Sequence, residues 1–321
     1  MDILLRRRDV YQRLYNCSFY SVDSIPIEER QHKAYGWMLV AMFIVFELLY
    51  APCVFAMAQK KLRQNFCYKL MLIMATFDML LMPTNILQPG YANINGYVYC
   101  SFPLLSYFNG IALFCLWIGY ATCAVILAFN RCLLYSNYNW IFEGEKEYFW
   151  LALPFITLTY TLIFGRAGTY SVVSGTLFFN PHVDFFPDDD DKYYSYIQFV
   201  INTCFSFLVP GVYAIYFINN YKLAQNRPKG MSKSEYSLFF QLLGINITIG
   251  SAAMFFVLIQ FIEVPKFLMF YPHISWVLIS GAPPITFNKS IQRVLVKKIG
   301  LSKIVPSDTH QQQTPANSLA K

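Results

Sequence analysis

The chain has 321 residues, a formal net charge of +7 and a hydrophobic fraction of 56%, with only 13% charged residues. Ordinary soluble domains contain about 45–50% apolar and about 25% charged residues. The composition therefore excludes an ordinary soluble domain and indicates an integral membrane protein in contact with the lipid bilayer. The positive charge then bears on which loops face the cytoplasm, and it does not indicate a nucleic-acid partner.

Seven apolar runs are long enough, or nearly so, for the roughly 20 residues of a membrane-spanning helix. Their interiors are nearly free of charge, and the links between them carry charges and turn-forming residues. The runs cover approximately residues 37–58, 68–88, 104–128, 148–164, 195–218, 237–262 and 267–287. The sequence therefore predicts an all-α integral membrane protein, with a single bundle of seven transmembrane helices over residues 37–288.

The basic residues of the links predict the orientation of this bundle. The links after runs 1, 3 and 5 hold Lys60, Lys61, Arg63, Lys69, Arg131, Lys146, Lys222, Arg227, Lys229 and Lys233. The links after runs 2, 4 and 6 hold only Arg166, Lys192 and Lys266. The excess in the first group predicts that the N-terminal tail, residues 1–36, is extracellular and that the C terminus is cytoplasmic.

Two further segments follow the predicted bundle. Residues 289–300 interleave basic and apolar side chains at helical spacing, which predicts a short amphipathic helix on the cytoplasmic leaflet. Residues 301–321 are rich in Gln, Ser, Thr and Pro, which predicts a disordered cytoplasmic tail.

The distribution of histidine and lysine argues against an enzyme or a cofactor-binding protein. A membrane zinc hydrolase needs several His and Asp ligands, and only His273 of the four histidines lies near a predicted helix. A retinal-binding protein needs a lysine inside the seventh helix, where Lys266 and Lys289 only flank the run. We therefore expect no catalytic residue, no metal and no cofactor.

Several short stretches resemble, in their order and spacing, the nematode serpentine receptor class T family of chemosensory G-protein-coupled receptors. They are YNCS at 15–18, ELLYAPC at 47–53, CYK at 67–69, FDM at 77–79, YCSFP at 99–103, LAFNRC at 127–132 and GAPP at 281–284. The resemblance implies a receptor-type seven-helix bundle that binds an external small molecule and activates a heterotrimeric G protein. It also implies a multi-pass protein of the plasma membrane, in the sensory cilia of chemosensory neurons.

Arg131 is similar in position to the arginine of the Asp-Arg-Tyr motif of rhodopsin-like receptors. The resemblance implies that Asn130 and Arg131 belong to the surface that couples to the G protein. Asn130 replaces the acidic neighbour and forms no ion pair, so a restraint on Arg131 has to come from another helix or from water. The alternative is that Arg131 only ends the third helix at the membrane interface by snorkelling.

Two carboxyl groups, Asp78 and Glu47, fall inside predicted membrane helices, where an ionised carboxylate is costly. Asp78 is similar in position to the helix-2 aspartate that binds sodium and links to helix 7 in rhodopsin-like receptors. The resemblance implies a structural and switching role, and a protonated, hydrogen-bonded core carboxyl is the alternative. For Glu47 we expect a hydrogen bond between helices.

Rhodopsin-like receptors have a cysteine at the outer start of helix 3 that is bonded to the second extracellular loop. Cys100 occupies this position, but the corresponding loop, residues 165–194, contains no cysteine. Following the resemblance, we predict a disulfide between Cys100 and Cys17 that draws the tail over the outer mouth of the bundle. Asn16, in the sequon Asn-Cys-Ser, is the predicted glycosylation site.

Small molecules enter such bundles between the outer halves of helices 3, 5, 6 and 7. The side chains at this depth that we select as candidates for the ligand pocket are Phe108, Asn109, Tyr196, Tyr271, His273 and Trp276. The acidic residues Asp184 and 188–191 of the second extracellular loop predict a solvated segment, with calcium binding as a weaker alternative.

A seven-helix ligand-gated channel or carrier is the alternative to a receptor. The sequence shows no pair of broken helices and no inverted repeat. The third, fifth and sixth runs contain no acidic or basic residue within the membrane to line a conduction path. These observations favour the receptor.

Overall fold

A computed structural model describes residues 1–18, 21–133, 138–184, 186, 190–225, 233–262 and 264–281 of the chain. The described residues contain seven long helices, which we number in chain order. They are α1, Lys33–Met57; α2, Phe66–Asn95; α3, Pro103–Leu133; α4, Lys146–Phe164; α5, Tyr196–Gln225; α6, Lys233–Leu258; and α7, Lys266–Ser280. The predicted amphipathic helix at 289–300 and the tail at 301–321 lie outside the described residues.

The remaining elements are short. The shorter α-helices are Asp2–Leu5, Arg8–Leu14, Ile27–Arg30 and Lys60–Arg63. The 3₁₀ turns are Val22–Ser24, Tyr99–Ser101, Asn139–Phe142 and Asp190–Tyr193. Two strands, β1 at Thr169–Ser171 and β2 at Thr176–Phe178, form a hairpin between α4 and α5.

Five helices are long and apolar enough to cross a membrane. Their candidate spans are Ile27–Met57, Phe66–Asn95, Pro103–Leu133, Lys146–Phe164 and Tyr196–Asn219. The apolar parts of α6 and α7 that qualify as helices, Asn246–Leu258 and Leu268–Ser280, are shorter. Large apolar side chains such as Leu48 and Phe207 are exposed on the outside of the bundle, as is typical of a surface that faces lipid.

The predicted end of the second helix, at Gln88, is wrong, because α2 continues to Asn95. Pro83 lacks a backbone N–H, and the helix passes this point through one turn of π-helix, Pro83–Leu87. Gly90, which reads as a helix breaker in the sequence, allows α1 and α2 to approach closely. A Cβ atom added at Gly36 would lie 2.6 Å from the Gly90 carbonyl oxygen.

Several other boundaries also differ from the predicted ones. Helix α1 begins earlier, at Lys33, and α5 continues to Gln225 rather than ending near Ile218. Helix α6 ends at Leu258, four residues before the predicted end at Ile262 and ahead of the helix-breaking Pro265. These shifts leave the order of the seven helices unchanged.

The β-hairpin is a feature that the sequence analysis did not anticipate. Its strands pair with Tyr170 opposite Leu177, and the turn contains Gly175 at a φ of 67°. Ala167 and Val172 are completely buried, so this part of the loop is packed into the bundle. The exposed Asp184 carboxylate accepts hydrogen bonds from the hydroxyls of Ser171, at 2.9 Å, and Ser174, at 2.6 Å.

The N-terminal tail packs against the same end of the bundle, which we call the tail-side end. Tyr11 and Tyr15 lie against the ring of Tyr107 on α3, with centroids 5.2 and 5.0 Å apart. The Tyr193 hydroxyl donates a hydrogen bond of 3.0 Å to the carbonyl oxygen of Leu14. The tail is therefore an ordered part of the fold.

Candidate functional site

A cavity of about 50 Å³ lies inside the bundle, beneath the hairpin and between α3, α5, α6 and α7. We call it the central cavity. Its lining is mainly apolar and consists of Leu113, Phe114, Trp117, Gly168, Leu177, Phe178, Phe179, Gln198, Asn202, Ile249, Ala252, Ala253, Phe256 and Trp276. The volume accommodates a few water molecules and is smaller than the space that a drug-sized ligand fills. A larger ligand would therefore need the helices around this cavity to move apart.

Asn202 joins three helices at the central cavity. Trp117 Nε1 on α3 donates a hydrogen bond of 3.0 Å to Asn202 Oδ1 on α5. Asn202 Nδ2 donates one of 3.1 Å to the carbonyl oxygen of Ala253 on α6. Both polar ends of the amide are therefore satisfied, as the burial of Asn202 requires.

Gln198 lies one turn from Asn202 on the same face of α5. Its Oε1 accepts a hydrogen bond of 2.9 Å from Gln260 Nε2. No residue in the described part of the chain accepts a hydrogen bond from Gln198 Nε2. This donor remains for a molecule in the cavity.

Aromatic rings connect the same helices. The Trp117 ring lies 5.4 Å from both Phe205 on α5 and Trp276 on α7, in edge-to-face arrangements. Trp276 in turn lies 6.0 Å from Phe256 on α6. A ligand that displaces either tryptophan therefore disturbs contacts with several helices at once.

Of the six residues selected from the sequence as candidates for the ligand pocket, only Trp276 lines the central cavity. The side chains of Phe108, Tyr196 and Tyr271 are exposed. Asn109 Nδ2 donates a hydrogen bond of 3.1 Å to the Thr84 carbonyl oxygen and lines a second cavity. The depth of these residues in their helices was predictable from the sequence, but the direction in which each side chain points was not.

His273 is fully buried and belongs to a polar cluster at the tail-side end. Its Nε2 lies 2.9 Å from the carbonyl oxygen of Asn85, and its Nδ1 lies 3.3 Å from the hydroxyl of Tyr35. A carbonyl oxygen only accepts, so Nε2 donates the proton and Nδ1 accepts from Tyr35. His273 thereby ties α7 to α1 and to the π-helical turn of α2.

Trp117, Gln198 and Asn202 were not among the residues predicted for the ligand pocket. A signal for the last two was present, because they are the polar pair at i and i+4 in an otherwise apolar stretch of α5. Nothing in the sequence alone distinguishes Trp117 from the many other aromatic residues of the chain.

The other end of α3 carries Arg131, and we call this the Arg131 end of the bundle. Arg131 Nη2 donates a hydrogen bond of 2.8 Å to Cys67 Sγ on α2. Cys67 is buried, and its backbone N–H donates to the side chain of Asn65, the N-cap of α2, at 2.9 Å. Tyr213 on α5 is an electrostatic neighbour of the guanidinium.

A salt bridge spans the helix ends beside Arg131. Lys69 Nζ on α2 lies 2.5 Å from Glu147 Oε1 on α4. Asn130, the neighbour of Arg131, is buried. The Arg131 end is thus held together by polar contacts between α2, α3 and α4.

The two carboxyl groups of the predicted membrane helices have different surroundings. Asp78 is buried on α2, and its Oδ2 accepts a hydrogen bond of 3.1 Å from the hydroxyl of Tyr50 on α1. Glu47 on α1 is partly exposed and has no hydrogen-bond partner among the described residues. No group of three His, Cys, Asp or Glu side chains suitable for a metal ion occurs among the described residues.

Cys17 and Cys100 are joined by a disulfide, with Cα atoms 5.5 Å apart. The bond links the tail to the turn before α3. Asn16 Oδ1 accepts a hydrogen bond of 3.0 Å from the backbone N–H of Ser18. Burial raises the pKa of the nearby Tyr15 and Tyr99 phenols, which are therefore neutral at physiological pH.

A bundle of long apolar helices that encloses a cavity at one end and holds an arginine at the other is typical of polytopic membrane proteins. The chain matches the family model described as serpentine type 7TM GPCR chemoreceptor Srt over residues 4–308. It is similar to serpentine receptor class T-55 of Caenorhabditis elegans, with 22% identity over 303 residues that cover 91% of this chain and 81% of that protein. The chain belongs to the Srt family of serpentine chemoreceptors, which confirms the resemblance found in the sequence. The family is of receptor type.

Proposed function

We propose that this protein is a chemosensory G-protein-coupled receptor of the plasma membrane. An external small molecule binds in the central cavity, and the Arg131 end activates a heterotrimeric G protein. The proposal includes seven membrane crossings with the N terminus outside, and a location in the sensory cilia of chemosensory neurons. One observation supports this proposal most directly. Helix α3 runs without a break from Trp117, beside the central cavity, to Arg131. At 1.5 Å per residue this distance is about 21 Å, so one rigid helix connects the two ends of the bundle.

The lining of the central cavity indicates the chemistry of the ligand. None of the described residues that line it is charged, so a charged molecule would enter without a counter-ion at a high cost of desolvation. The free Nε2 of Gln198 is a hydrogen-bond donor. The ligand we propose is a small, neutral and mainly apolar molecule with one acceptor group for this donor.

Activation follows from a shift between two arrangements of the helices. The central cavity is small in this structure, so a ligand that needs more space favours an arrangement in which α5 and α6 move away from α3. That movement breaks the hydrogen bond between Trp117 on α3 and Asn202 on α5, whereas the bond from Asn202 to Ala253 on α6 moves with the two helices. At the other end it separates Tyr213 from Arg131, which opens a surface for the G protein.

The polar residues outside the cavity have supporting roles in this proposal. Asp78 is a hydrogen-bonded core carboxyl that connects α2 with α1 through Tyr50, and no step of the mechanism requires sodium. Asn16 is the glycosylation site of the extracellular tail. For Glu47, on α1, the proposal keeps a hydrogen bond between helices.

A second-messenger screen of odorants and small metabolites, in cells that express this chain, tests the proposal. For an active neutral compound, Gln198→Leu is expected to raise the half-maximal concentration about tenfold, the equivalent of one lost hydrogen bond of about 1.4 kcal/mol. Cys204→Ala, on the exposed face of the same helix, is the control and is expected to leave it unchanged.

Two results would contradict the proposal. One is the same half-maximal concentration in wild type and Gln198→Leu, which would show that the ligand does not bind in the central cavity. The other is a ligand-evoked current that persists when G proteins are blocked, which would favour the ligand-gated channel or carrier.

A further inference from the structure

A second cavity, of about 150 Å³, lies between the tail-side ends of α2 and α3 and is larger than the central cavity. We call it the side cavity. The turn before α3, including Val98 and Tyr99, covers it from above, and β1 contributes Thr169 and Tyr170 to its wall. None of the six residues that line it from α2 and α3 faces the central cavity.

Three polar side chains in the lining retain hydrogen-bonding capacity. Asn109 Nδ2 donates to the Thr84 carbonyl oxygen at 3.1 Å and lies 3.5 Å from Gln88 Oε1. Among the described residues there is no partner for Gln88 Nε2, for Asn109 Oδ1 or for the hydroxyl of Ser106. The cavity therefore offers both donors and an acceptor, and none of its described lining residues is charged.

The opening of the side cavity is apolar. Its exposed lining residues are Tyr91 on α2, Phe102 just before α3 and Leu105 on α3, with exposed fractions of 57%, 50% and 64%. Tyr91 and Leu105 belong to the candidate membrane spans Phe66–Asn95 and Pro103–Leu133. The exposed part of the lining is therefore apolar, and two of its three residues belong to the apolar surface of candidate membrane spans.

The side cavity shares a wall with the central cavity. Gly168, the residue before β1, lines both. Its carbonyl oxygen would lie 2.5 Å from a Cβ atom added at Gly110, so the hairpin rests directly on the backbone of α3 here. A molecule in the side cavity thus contacts the roof of the central cavity.

We propose that the side cavity is a second binding site, for a neutral amphiphile that enters from the bilayer. Its head is a hydroxyl or an amide, which exchanges hydrogen bonds with Gln88, Ser106 and Asn109. Its apolar tail leaves between Tyr91, Phe102 and Leu105 and lies along the lipid-facing surface. This second site rests on the proposed function only for the orientation of the bundle. With the N terminus outside, the side cavity lies at the outer leaflet, which is therefore the source of the ligand.

Photolabelling of the purified full-length receptor in phosphatidylcholine nanodiscs tests this site. The probe is hexadecanol with a photoreactive diazirine next to the hydroxyl end, and labelled peptides are identified by mass spectrometry. Label is expected to concentrate on the peptides that contain residues 88–109. Excess unlabelled hexadecanol is expected to reduce this labelling at least tenfold, whereas hexadecane, which lacks the head group, leaves it unchanged.

Substitutions give a second readout. Ser106→Phe fills the side cavity and is expected to reduce labelling of these peptides at least tenfold. Leu104→Phe, at an exposed neighbour outside the lining, is the matched control and is expected to stay within twofold of the wild type.

Label spread evenly over exposed apolar residues of other helices, such as Phe207, or equal competition by hexadecane, would overturn the proposal. The competition series uses the unaltered protein, so the test stands even if Ser106→Phe does not fold. The labelling does not measure signalling, and its failure is therefore distinguishable from failure of the proposed receptor function.

Discussion

At the scale of single residues, the contact between Arg131 and Cys67 defines how the Arg131 end is held. Asn130 cannot supply an ion pair, and the thiol of Cys67 on α2 provides the hydrogen-bond acceptor instead. A neutral thiol is a weaker partner for a guanidinium than a carboxylate is. For the proposed receptor we therefore expect the Arg131–Cys67 contact to restrain the resting state only modestly, so that a ligand of ordinary affinity overcomes it.

Cys67→Ala removes this acceptor. We expect ligand-independent signalling to rise about fivefold, the equivalent of about 1 kcal/mol lost from the resting state. The measurement is basal second-messenger production at matched surface expression. Cys132→Ala, at the half-buried cysteine next to Arg131 in the sequence, is the control and is expected to leave basal signalling unchanged. Equal basal signalling in wild type and Cys67→Ala would show that Cys67 does not restrain Arg131.

The direction and the partners of single side chains were harder to predict from the sequence than the helices were. Apolar runs and the helical rise give the depth of Tyr196 and Trp276, yet only Trp276 faces the central cavity, because rotation about the helix axis depends on packing with neighbours. Arg131 was recognised because its position at the end of the third helix is similar to that of the arginine in the Asp-Arg-Tyr motif. Its partner Cys67 was not, since a buried cysteine in a sequence looks like any small apolar residue.

At the scale of elements, the helices were predictable and the hairpin was not. Long apolar runs have few alternatives to a membrane helix, which is why the order of α1 to α7 agrees with the sequence. The strands of the hairpin are three residues each, too short for a periodic signal. Helix α2 was cut short at Gln88 because Pro89 and Gly90 mark a helix end in soluble proteins, whereas Gly90 here permits close packing with α1.

Gly175 is the residue on which the hairpin turn depends. It combines a φ of 67° with a position where an added Cβ atom would lie 2.0 Å from Phe270 Cε1 on α7. Gly175→Ala is therefore expected to lower the thermal midpoint of the detergent-solubilised receptor and to weaken ligand binding at the central cavity, whose roof is the hairpin.

Gly144 provides a matched control for this substitution. Its φ is 63°, but nothing lies within 4 Å of an added Cβ atom. Gly144→Ala is therefore expected to lower the free energy of unfolding only through the strain of alanine at positive φ, by about 1 kcal/mol. If the two variants have the same thermal midpoint and ligand affinity, the contact of the turn with α7 does not support the site.

At the scale of the whole molecule, the tail and the bundle form one unit. The disulfide joins Cys17 to Cys100 across a sequence separation of 83 residues, and the tail adds buried side chains such as Ile3 and Tyr15 to the core. Closing a loop of this length stabilises the folded chain by up to about 4.5 kcal/mol in the chain-entropy treatment. The tail thereby secures the tail-side end of the bundle.

Cys17→Ser tests this role of the tail. We expect a lower thermal midpoint and faster proteolysis after the basic residues of the tail, because the segment is then held by packing alone. Peptide mass analysis without reductant is expected to find Cys17 bonded to Cys100 in the wild type. Cys204→Ser, at an exposed free cysteine, controls for loss of a thiol. Alkylation of both Cys17 and Cys100 without reductant would rule out the bond in the native receptor.

The most direct measurement for the central claim is nucleotide exchange on a purified heterotrimeric G protein, driven by the receptor in nanodiscs with an active compound from the screen. Binding of the compound and exchange are recorded for the wild type and Arg131→Ala. We expect ligand-stimulated exchange in the wild type. In Arg131→Ala we expect a ligand affinity within threefold of the wild type but exchange reduced at least tenfold. Exchange by Arg131→Ala at the rate of the wild type would show that Arg131 does not couple the receptor to the G protein.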